Sequence, residues 1–208
     1  MSKAFLSATQ FKVTINKAAL LKEVTAGNNG KVTGREVRKY VAPIIEDAQK
    51  TLIKDFFNHS VTKEIKAGPN ASNSSGSLGG YGNLFSFIGF DKGSDPTAGI
   101  EQILKQKLVI TVRAISSGKF RISIANPPSK DELFSVSQIP WASGSSWADG
   151  IEKGISNLGS FLYRGRGLGQ SRSGAGIQVL RNLRSTNFQT QPYISKLVDE
   201  FYKNIIKF

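Results

Sequence analysis

The apolar positions between residues 33 and 58 recur with the period of an α-helix. Thr33 and Glu36 have the spacing of a capping box, in which each side chain binds the other residue's free backbone N–H. Beyond them, Lys, Glu, Asp and Gln occupy the side opposite the apolar stripe. The pattern predicts a long amphipathic helix that ends near Asn58, with a kink at Pro43 because proline removes one amide and clashes with the previous turn. The predicted stripe contains Val37, Val41, Ile44, Ile45, Ala48, Leu52 and Phe56.

A period of two replaces the helical period between residues 108 and 124. Two runs that alternate apolar and polar residues flank the turn Ser116-Ser117-Gly118, so the segment predicts a β-hairpin. The first set of positions is Leu108, Ile110, Val112, Ala114, Phe120, Ile122 and Ile124, and it alternates with Val109, Thr111, Arg113, Ile115, Arg121 and Ser123. Shorter strands are predicted over residues 11–15, 161–163 and 177–180.

Helical patterns return in the second half of the chain. Asp95 and Pro96 resemble an N-cap followed by proline at the first helical position, which predicts a helix to about Gln106. Further helices are predicted over residues 147–158 and near the C-terminus. The C-terminal apolar face contains Ile194, Leu197, Val198, Phe201 and Ile205. The mixed order predicts an α+β fold, in which a small antiparallel sheet is packed by the long N-terminal helix and the C-terminal helix within a single domain, residues 1–208.

Residues 66–93 break this regularity, and we call them the arm. Their first half is rich in Gly, Ser and Asn, which lose much conformational entropy on ordering and bury little apolar surface. Their second half is aromatic and aliphatic. The pattern fits an extended loop excursion that docks its apolar end on the same chain or on a neighbouring one, and we favour the neighbour. The predicted subunit-interface residues are Tyr81, Leu84, Phe85, Phe87, Ile88, Phe90, Trp141 and Trp147.

The chain is strongly basic. Twenty-eight Lys and Arg against 15 Asp and Glu give a formal net charge of +13, which attracts nucleic acid, acidic protein surfaces or anionic membranes. Arginines cluster in and beyond a Gly-rich loop over residues 164–176, where small neighbours let guanidinium groups approach phosphates. Contact with DNA and contact with an acidic partner fit this cluster equally well. Its members are Arg164, Arg166, Arg172, Arg181 and Arg184.

The sequence offers little for catalysis or for a cofactor. It has no Cys and a single histidine, His59, so neither a thiolate site nor a histidine metal cluster is expected. His59 lies at the end of the predicted long helix, where a histidine usually caps carbonyls or interacts with the helix dipole. The Gly-rich segments lack the spacing of a P-loop, and no run approaches the ~18 apolar residues of a membrane span. We therefore expect a protein that is not an enzyme, holds no metal or cofactor and has no membrane partner.

Five parts of the sequence carry a resemblance to a known family: His59–Gly68, Ser75–Phe90, Gly93–Pro96, Ile139–Trp141 with Trp147, and Ser171–Gln178. They resemble virion proteins of tailed bacteriophages. The chain is similar to neck or tail-completion proteins, which sit at the head–tail junction, over roughly residues 33–180. The resemblance implies an amphipathic N-terminal helix with a small antiparallel sheet, assembly into rings, and no catalytic residues.

From this resemblance we expect a structural virion protein that forms an oligomeric ring at the head–tail junction, as a neck or tail-completion (terminator) component with arm-mediated subunit contacts. The expected partners are further copies of the chain, a portal, adaptor or tail-tube protein, and duplex DNA passing through the ring. The expected location is the virion, after assembly in the host cytoplasm. The alternative is a basic nucleic-acid-binding protein that is not part of a ring.

Overall fold

The computed structural model describes residues 10–15, 33–79, 82–116, 119–139, 142–154, 161–163, 172–174, 177–179 and 189–206. The helices are α1 (Gly34–Asn58), α2 (Ser60–Lys66), α3 (Leu84–Ile88), α4 (Ala98–Leu104), α5 (Lys130–Ser135), α6 (Trp147–Lys153) and α7 (Ile194–Ile206). The strands are β1 (Gln10–Ile15), β2 (Val109–Ser116), β3 (Lys119–Ala125), β4 (Gln138–Ile139), β5 (Ala142–Ser146), β6 (Phe161–Tyr163) and β7 (Ile177–Val179). A 3₁₀ turn covers Gly68–Asn70.

The α+β prediction is confirmed. Strands β1, β3 and β2 form an antiparallel sheet in that order, while β4 pairs with β5 and β6 pairs with β7. The predicted hairpin is β2–β3, and the short strands predicted over residues 11–15, 161–163 and 177–180 are β1, β6 and β7. The predicted N-terminal and C-terminal helices are α1 and α7.

Contacts within the chain divide it into two compact units, where the sequence predicts a single domain. Unit 1 contains Met1–Leu52, Gln106–Ser129 and Asp199–Phe208, and unit 2 contains Ile53–Lys105 and Lys130–Val198. Both α1 and α7 contribute residues to each unit.

Unit 1 buries one face of the three-stranded sheet. The capping box at the start of α1 forms as predicted, since the Thr33 N–H donates to Glu36 Oε2 at 2.8 Å and the Glu36 N–H donates to Thr33 Oγ1 at 3.4 Å. The helix continues through Pro43. The buried residues of the described part of unit 1 include Val37, Val41, Ile45, Ala48, Leu52, Ile110, Phe120, Ile122, Ile124, Phe201 and Ile205.

Two hydrogen bonds tie the helices of unit 1 to the ends of the hairpin. Gln49 Nε2 donates to the Gln106 carbonyl at 2.7 Å, just before β2. Tyr202 Oη donates to the Pro128 carbonyl at 3.0 Å, just after β3. The register of β2 against β3 shifts between Ala114 and Ser116, close to the turn. The hairpin is therefore anchored where it enters and leaves the unit.

Unit 2 is built around aromatic contacts. Phe90 lies edge-on to Trp147 with ring centroids 5.9 Å apart, and Trp147 lies 6.2 Å from Tyr193. Tyr193 in turn stacks on Phe56 at 6.1 Å, and Phe85 packs on Phe90 at 5.4 Å. These five rings are nearly or fully inaccessible to solvent, and aromatic pairs at these distances stabilise a core beyond the area that they bury.

Two helix boundaries of unit 2 differ from the sequence prediction. The helix predicted from Pro96 begins at Ala98, and its N-cap residue is Thr97 and not Asp95. Asp95 Oδ1 accepts the Thr97 N–H at 3.0 Å and the Thr97 hydroxyl at 2.7 Å. The helix predicted over residues 147–158 ends at Lys153, where Gly154 turns to a φ of 97°. Residues 155–160 lie outside the described part of the chain.

Candidate functional site

The residues assigned to a subunit interface are core residues of unit 2, so this prediction is wrong for every member that the structure describes. Each of these side chains is at most 1% exposed within its own chain and has no surface left for a neighbour. They are Leu84, Phe85, Phe87, Ile88, Phe90 and Trp147. The other two predicted members, Tyr81 and Trp141, lie outside the described residues.

Residues 66–93 are therefore not an extended arm. The described part of the segment folds into the end of α2, a 3₁₀ turn, a series of turns and α3. Ser75, Ser77 and Leu78 from its polar half are buried along with the aromatic half. The apolar cluster draws the polar stretch inward because the peptide groups of that stretch find hydrogen-bond partners inside the unit.

Glu64 provides the central partner. Its side chain is 1% exposed, and its two oxygens accept the backbone N–H groups of Ser75 and Leu84, each at 2.7 Å. Burying a carboxylate costs free energy unless it is hydrogen-bonded, and bonds to an ionised acceptor are the stronger kind. Glu64 thus fixes the Gly/Ser stretch at Ser75 and the start of α3 at Leu84.

α3 is a short helix with a cap at each end. Asn83 Oδ1 accepts the Ser86 N–H at 2.9 Å, and Asn83 Nδ2 donates to the Pro69 carbonyl at 2.8 Å. Gly89 takes the left-handed conformation with φ of 88°, and its N–H returns to the Phe85 carbonyl at 3.2 Å. Such caps satisfy groups that a helix end leaves unpaired. They allow a five-residue helix to be buried.

His59 has a capping role at the junction of α1 and α2. Its Nδ1 accepts the Val61 N–H at 3.3 Å, and its ring lies 4.7 Å from the ring of Tyr193. Burial lowers the pKa of His59 below its ordinary value of 6.5; Lys196 lowers it further, and Glu152 acts in the opposite direction. The sequence predicts that this histidine caps carbonyls at the end of the long helix, but it instead caps the N-terminus of α2 as a hydrogen-bond acceptor.

A second buried polar pair lies beside His59. The hydroxyls of Thr62 and Tyr193 are 2.6 Å apart, and both side chains are fully buried. Burial raises the pKa of Tyr193, although the bond to Thr62 acts against this rise, so the phenol is neutral across the physiological range. The pair makes a structural hydrogen bond in the unit 2 core.

Of the five arginines of the predicted basic cluster, the structure describes one, Arg172. Arg172 is exposed, and its carbonyl accepts the Lys92 N–H at 3.0 Å, which joins the two segments within unit 2. Arg164, Arg166, Arg181 and Arg184 lie outside the described residues. Their contact with DNA or with an acidic partner stays a prediction.

The three-stranded sheet of unit 1 carries a different basic surface, which we call the outer face: Val109, Thr111, Arg113, Arg121 and Ser123. Arg113 and Arg121 are directly opposite each other in the β2–β3 ladder. The next pair on the same face, two residues along each strand, is Thr111 and Ser123. Both arginines are exposed, and Val109 is 51% exposed. Among the residues that the structure describes, neither guanidinium has an ion-pair or hydrogen-bond partner.

The surroundings of this face are poor in negative charge. Unit 1 contains 15 of the Lys and Arg residues and 6 of the Asp and Glu residues, a net charge of +9, which leaves +4 for unit 2. Between Glu101 and Asp131 the chain holds six basic residues and no acid. Like charges directly opposite each other destabilise a sheet by some tenths of a kcal/mol. The two arginines therefore repel each other, and this repulsion lowers the stability of the hairpin.

Arg113 and Arg121 were not among the predicted DNA- or partner-facing residues, although two features of the sequence indicate them. The alternation along the predicted hairpin places both on the face opposite the apolar residues. The acid-free stretch between Glu101 and Asp131 extends beyond the hairpin on both sides. Attention to Gly-rich loops favoured the arginines of residues 164–184 instead.

The described residues contain no group of three or more His, Cys, Asp or Glu placed to hold a metal ion. No helix in that part of the chain is long and apolar enough to cross a membrane. Comparison of the chain with protein-family models, with curated proteins and with solved structures gives no significant match.

Proposed function

We propose that this chain is a structural virion protein that forms an oligomeric ring at the head–tail junction of a tailed bacteriophage, as a neck or tail-completion (terminator) component. The proposal starts from the resemblance of its segments to that family. Its proposed partners are further copies of the chain, the neighbouring portal, adaptor or tail-tube protein, and the DNA that passes the junction.

The observation that carries the proposal is the outer face of the sheet. It combines exposed aliphatic and hydroxyl side chains with two arginines that have no ion-pair partner among the described residues, in the more basic of the two units. Arginine is enriched at protein interfaces, and a basic surface is attracted to polyanions. A subunit that stands between protein neighbours and DNA can use such a face.

The subunit contacts of the proposed ring cannot rely on the arm. Residues 84–90 stabilise the monomer core, so the ring must form through surfaces that remain exposed after folding. Cyclic assembly needs two complementary patches on each copy, so that head-to-tail contacts close after a fixed rotation. Residues 66–93 were predicted to make the subunit contacts, but their apolar part packs in the monomer core, so the contacts of the proposed ring need other surfaces.

The native mass of the purified full-length chain, together with imaging of the neck of the particle that encodes it, tests this proposal. We expect a discrete multimer and density for the chain at the head–tail junction. A strict monomer that is missing from particles would contradict the proposal. A monomer that binds duplex DNA with strong salt dependence would instead support the alternative of a nucleic-acid-binding protein outside a ring.

A further inference from the structure

We propose that the outer face of the unit 1 sheet binds the phosphate backbone of duplex DNA, with Arg113 and Arg121 as the central contacts. This inference rests on the proposed function, because DNA at the head–tail junction is the ligand that the face would bind. The binding itself can be measured on a chain that has not formed a ring. The contact would be independent of base sequence because phosphate oxygens carry no sequence information.

The arginine pair needs an external anion more than isolated surface arginines do. Residues directly opposite each other in an antiparallel ladder have Cα atoms about 4.5 to 5.5 Å apart, so the side chains of Arg113 and Arg121 start from neighbouring positions on one face. Neither guanidinium has an acidic partner among the described residues, so folding brings two positive charges together there. A phosphate that accepts hydrogen bonds from both guanidinium groups replaces this repulsion by two attractive contacts, and the planar fork of arginine suits phosphate oxygens.

The neighbouring register positions extend the same chemistry. Thr111 and Ser123 form the next pair on this face and carry hydroxyls, which commonly bind phosphate oxygens. On the other side of β3, Lys12 is the register partner of Ser123 and Thr14 is the partner of Arg121. The two pairs between β2 and β3 make a strip with basic and hydroxyl residues and without a carboxylate.

Charge complementarity favours DNA over a second copy of the chain at this face. Two copies that met through the same face would place arginine against arginine, which is unfavourable. Duplex DNA carries one negative charge per about 1.7 Å of axis and releases condensed counterions when cations bind its phosphates. A basic sheet face without a carboxylate is therefore matched to a polyanion.

Binding should weaken steeply with salt, and each arginine should contribute to the slope. Each neutralised phosphate adds about 0.9 to the magnitude of the slope of log affinity against log salt concentration. Each contact therefore makes binding at about 0.1 M salt about eightfold tighter than at about 1 M salt. We therefore expect the double variant Arg113→Ala/Arg121→Ala to bind a random-sequence duplex roughly 60-fold more weakly than the original chain at 0.1 M salt. The slope should fall by about 2.

The control is Lys63→Ala/Lys92→Ala, which removes the same total charge from exposed positions of unit 2. Fluorescence anisotropy with a labelled duplex should show nearly unchanged binding for this control. The variant Arg113→Lys/Arg121→Lys keeps the charges and should retain the salt slope, with weaker binding because lysine lacks the bidentate fork. Thermal unfolding of each variant verifies that the hairpin remains folded.

Several outcomes would overturn the inference. Equal losses in the arginine and lysine double variants would show that total charge matters and the face does not. Undetectable duplex binding by the original chain, or binding to polyglutamate or anionic vesicles but not to duplex, would assign the surface to another partner. A ring that does not bind DNA defeats this inference alone, and a DNA-binding monomer that is absent from particles defeats the proposed function alone.

Discussion

Glu64 and Leu84 are joined by a buried hydrogen bond, in which Glu64 Oε1 accepts the Leu84 backbone N–H at 2.7 Å. The second oxygen of the same carboxylate accepts the Ser75 N–H at an equal distance. One side chain therefore closes the Gly/Ser stretch onto the helix that precedes it. This closure converts a segment with the composition of a linker into part of the unit 2 core.

Replacement of Glu64 by Gln tests the importance of this closure. The amide keeps the shape of the side chain but offers one acceptor for two N–H donors, so one buried donor loses its partner. We expect a loss of about 2 to 3 kcal/mol in the free energy of unfolding. Urea unfolding measures it, with the exposed Glu46→Gln as control. An equal response of the two variants would show that Glu64 is not needed to hold the segment.

Truncation of Phe85 distinguishes a core role from an interface role. Phe85 is 1% exposed and packs on Phe90, so Phe85→Ala should cost about 3 to 5 kcal/mol of stability. Removal of residues 70–82 should likewise unfold unit 2 instead of leaving a folded, assembly-deficient subunit. Circular dichroism and urea titration report the result. A variant that stays folded at the original stability and loses only multimers would restore the interface prediction.

The hydroxyl pair of Thr62 and Tyr193 should show non-additive behaviour. Tyr193→Phe or Thr62→Val alone leaves a buried hydroxyl without its partner and should cost about 1 to 2 kcal/mol. The combined replacement removes both hydroxyls and should cost less than the sum. A double-mutant cycle by urea unfolding measures this coupling, and strictly additive losses would contradict it.

The lowered pKa of His59 predicts a pH dependence of stability. Because its pKa in the folded protein is below the ordinary value of 6.5, the unfolded chain takes up the proton first as pH falls. Stability should therefore be complete above pH 6.5, fall as pH decreases through 6.5, and level off below the folded pKa. His59→Asn keeps a good capping side chain but cannot titrate.

The measurement for His59 is the free energy of unfolding between about pH 7 and 5, a window above the ordinary carboxylate range. The original chain should lose more stability across this window than His59→Asn. Identical profiles for the two proteins would show that His59 makes no contribution.

The arginine pair predicts a gain of stability when one member is removed. Arg113→Gln should stabilise unit 1 by about 0.2 to 1 kcal/mol because it ends the repulsion across the ladder. The double replacement with Arg121→Gln should add no second gain of this kind, since one charge alone has no partner to repel. Thermal unfolding at low and high salt checks this prediction: the gain should shrink as salt rises, and a loss of stability in the single variant would refute it.

Local patterns predicted much of the fold. Thr33 and Glu36 form the capping box that their spacing indicates, and the alternation on both sides of Ser116 forms the β2–β3 hairpin. These features depend on neighbours within a few positions, which a sequence displays directly. Composition misled us where a distant residue decides the outcome, because nothing near Ser75 or Leu84 indicates that Glu64 binds both.

The short helix α3 could have been recognised from its ends. Asn83 is a favoured N-cap residue and Gly89 a favoured residue beyond a C-terminus, and both perform these roles. The apolar residues between them are too few for helical periodicity to be visible. Arg113 and Arg121 could also have been found, because alternation places them on one face. The sequence alone does not show that neither arginine has an ion-pair partner among the described residues, because ion pairing depends on the tertiary structure.

The register shift between Ala114 and Ser116 has a consequence for aggregation during folding. An eight-residue strand at the end of a sheet is a template on which other polypeptides can extend a cross-β stack. An irregularity near its tip increases the local twist, and the positive charge of Arg113 opposes stacking of identical strands in register. Both features oppose amyloid-like growth from this hairpin while the chain is still folding.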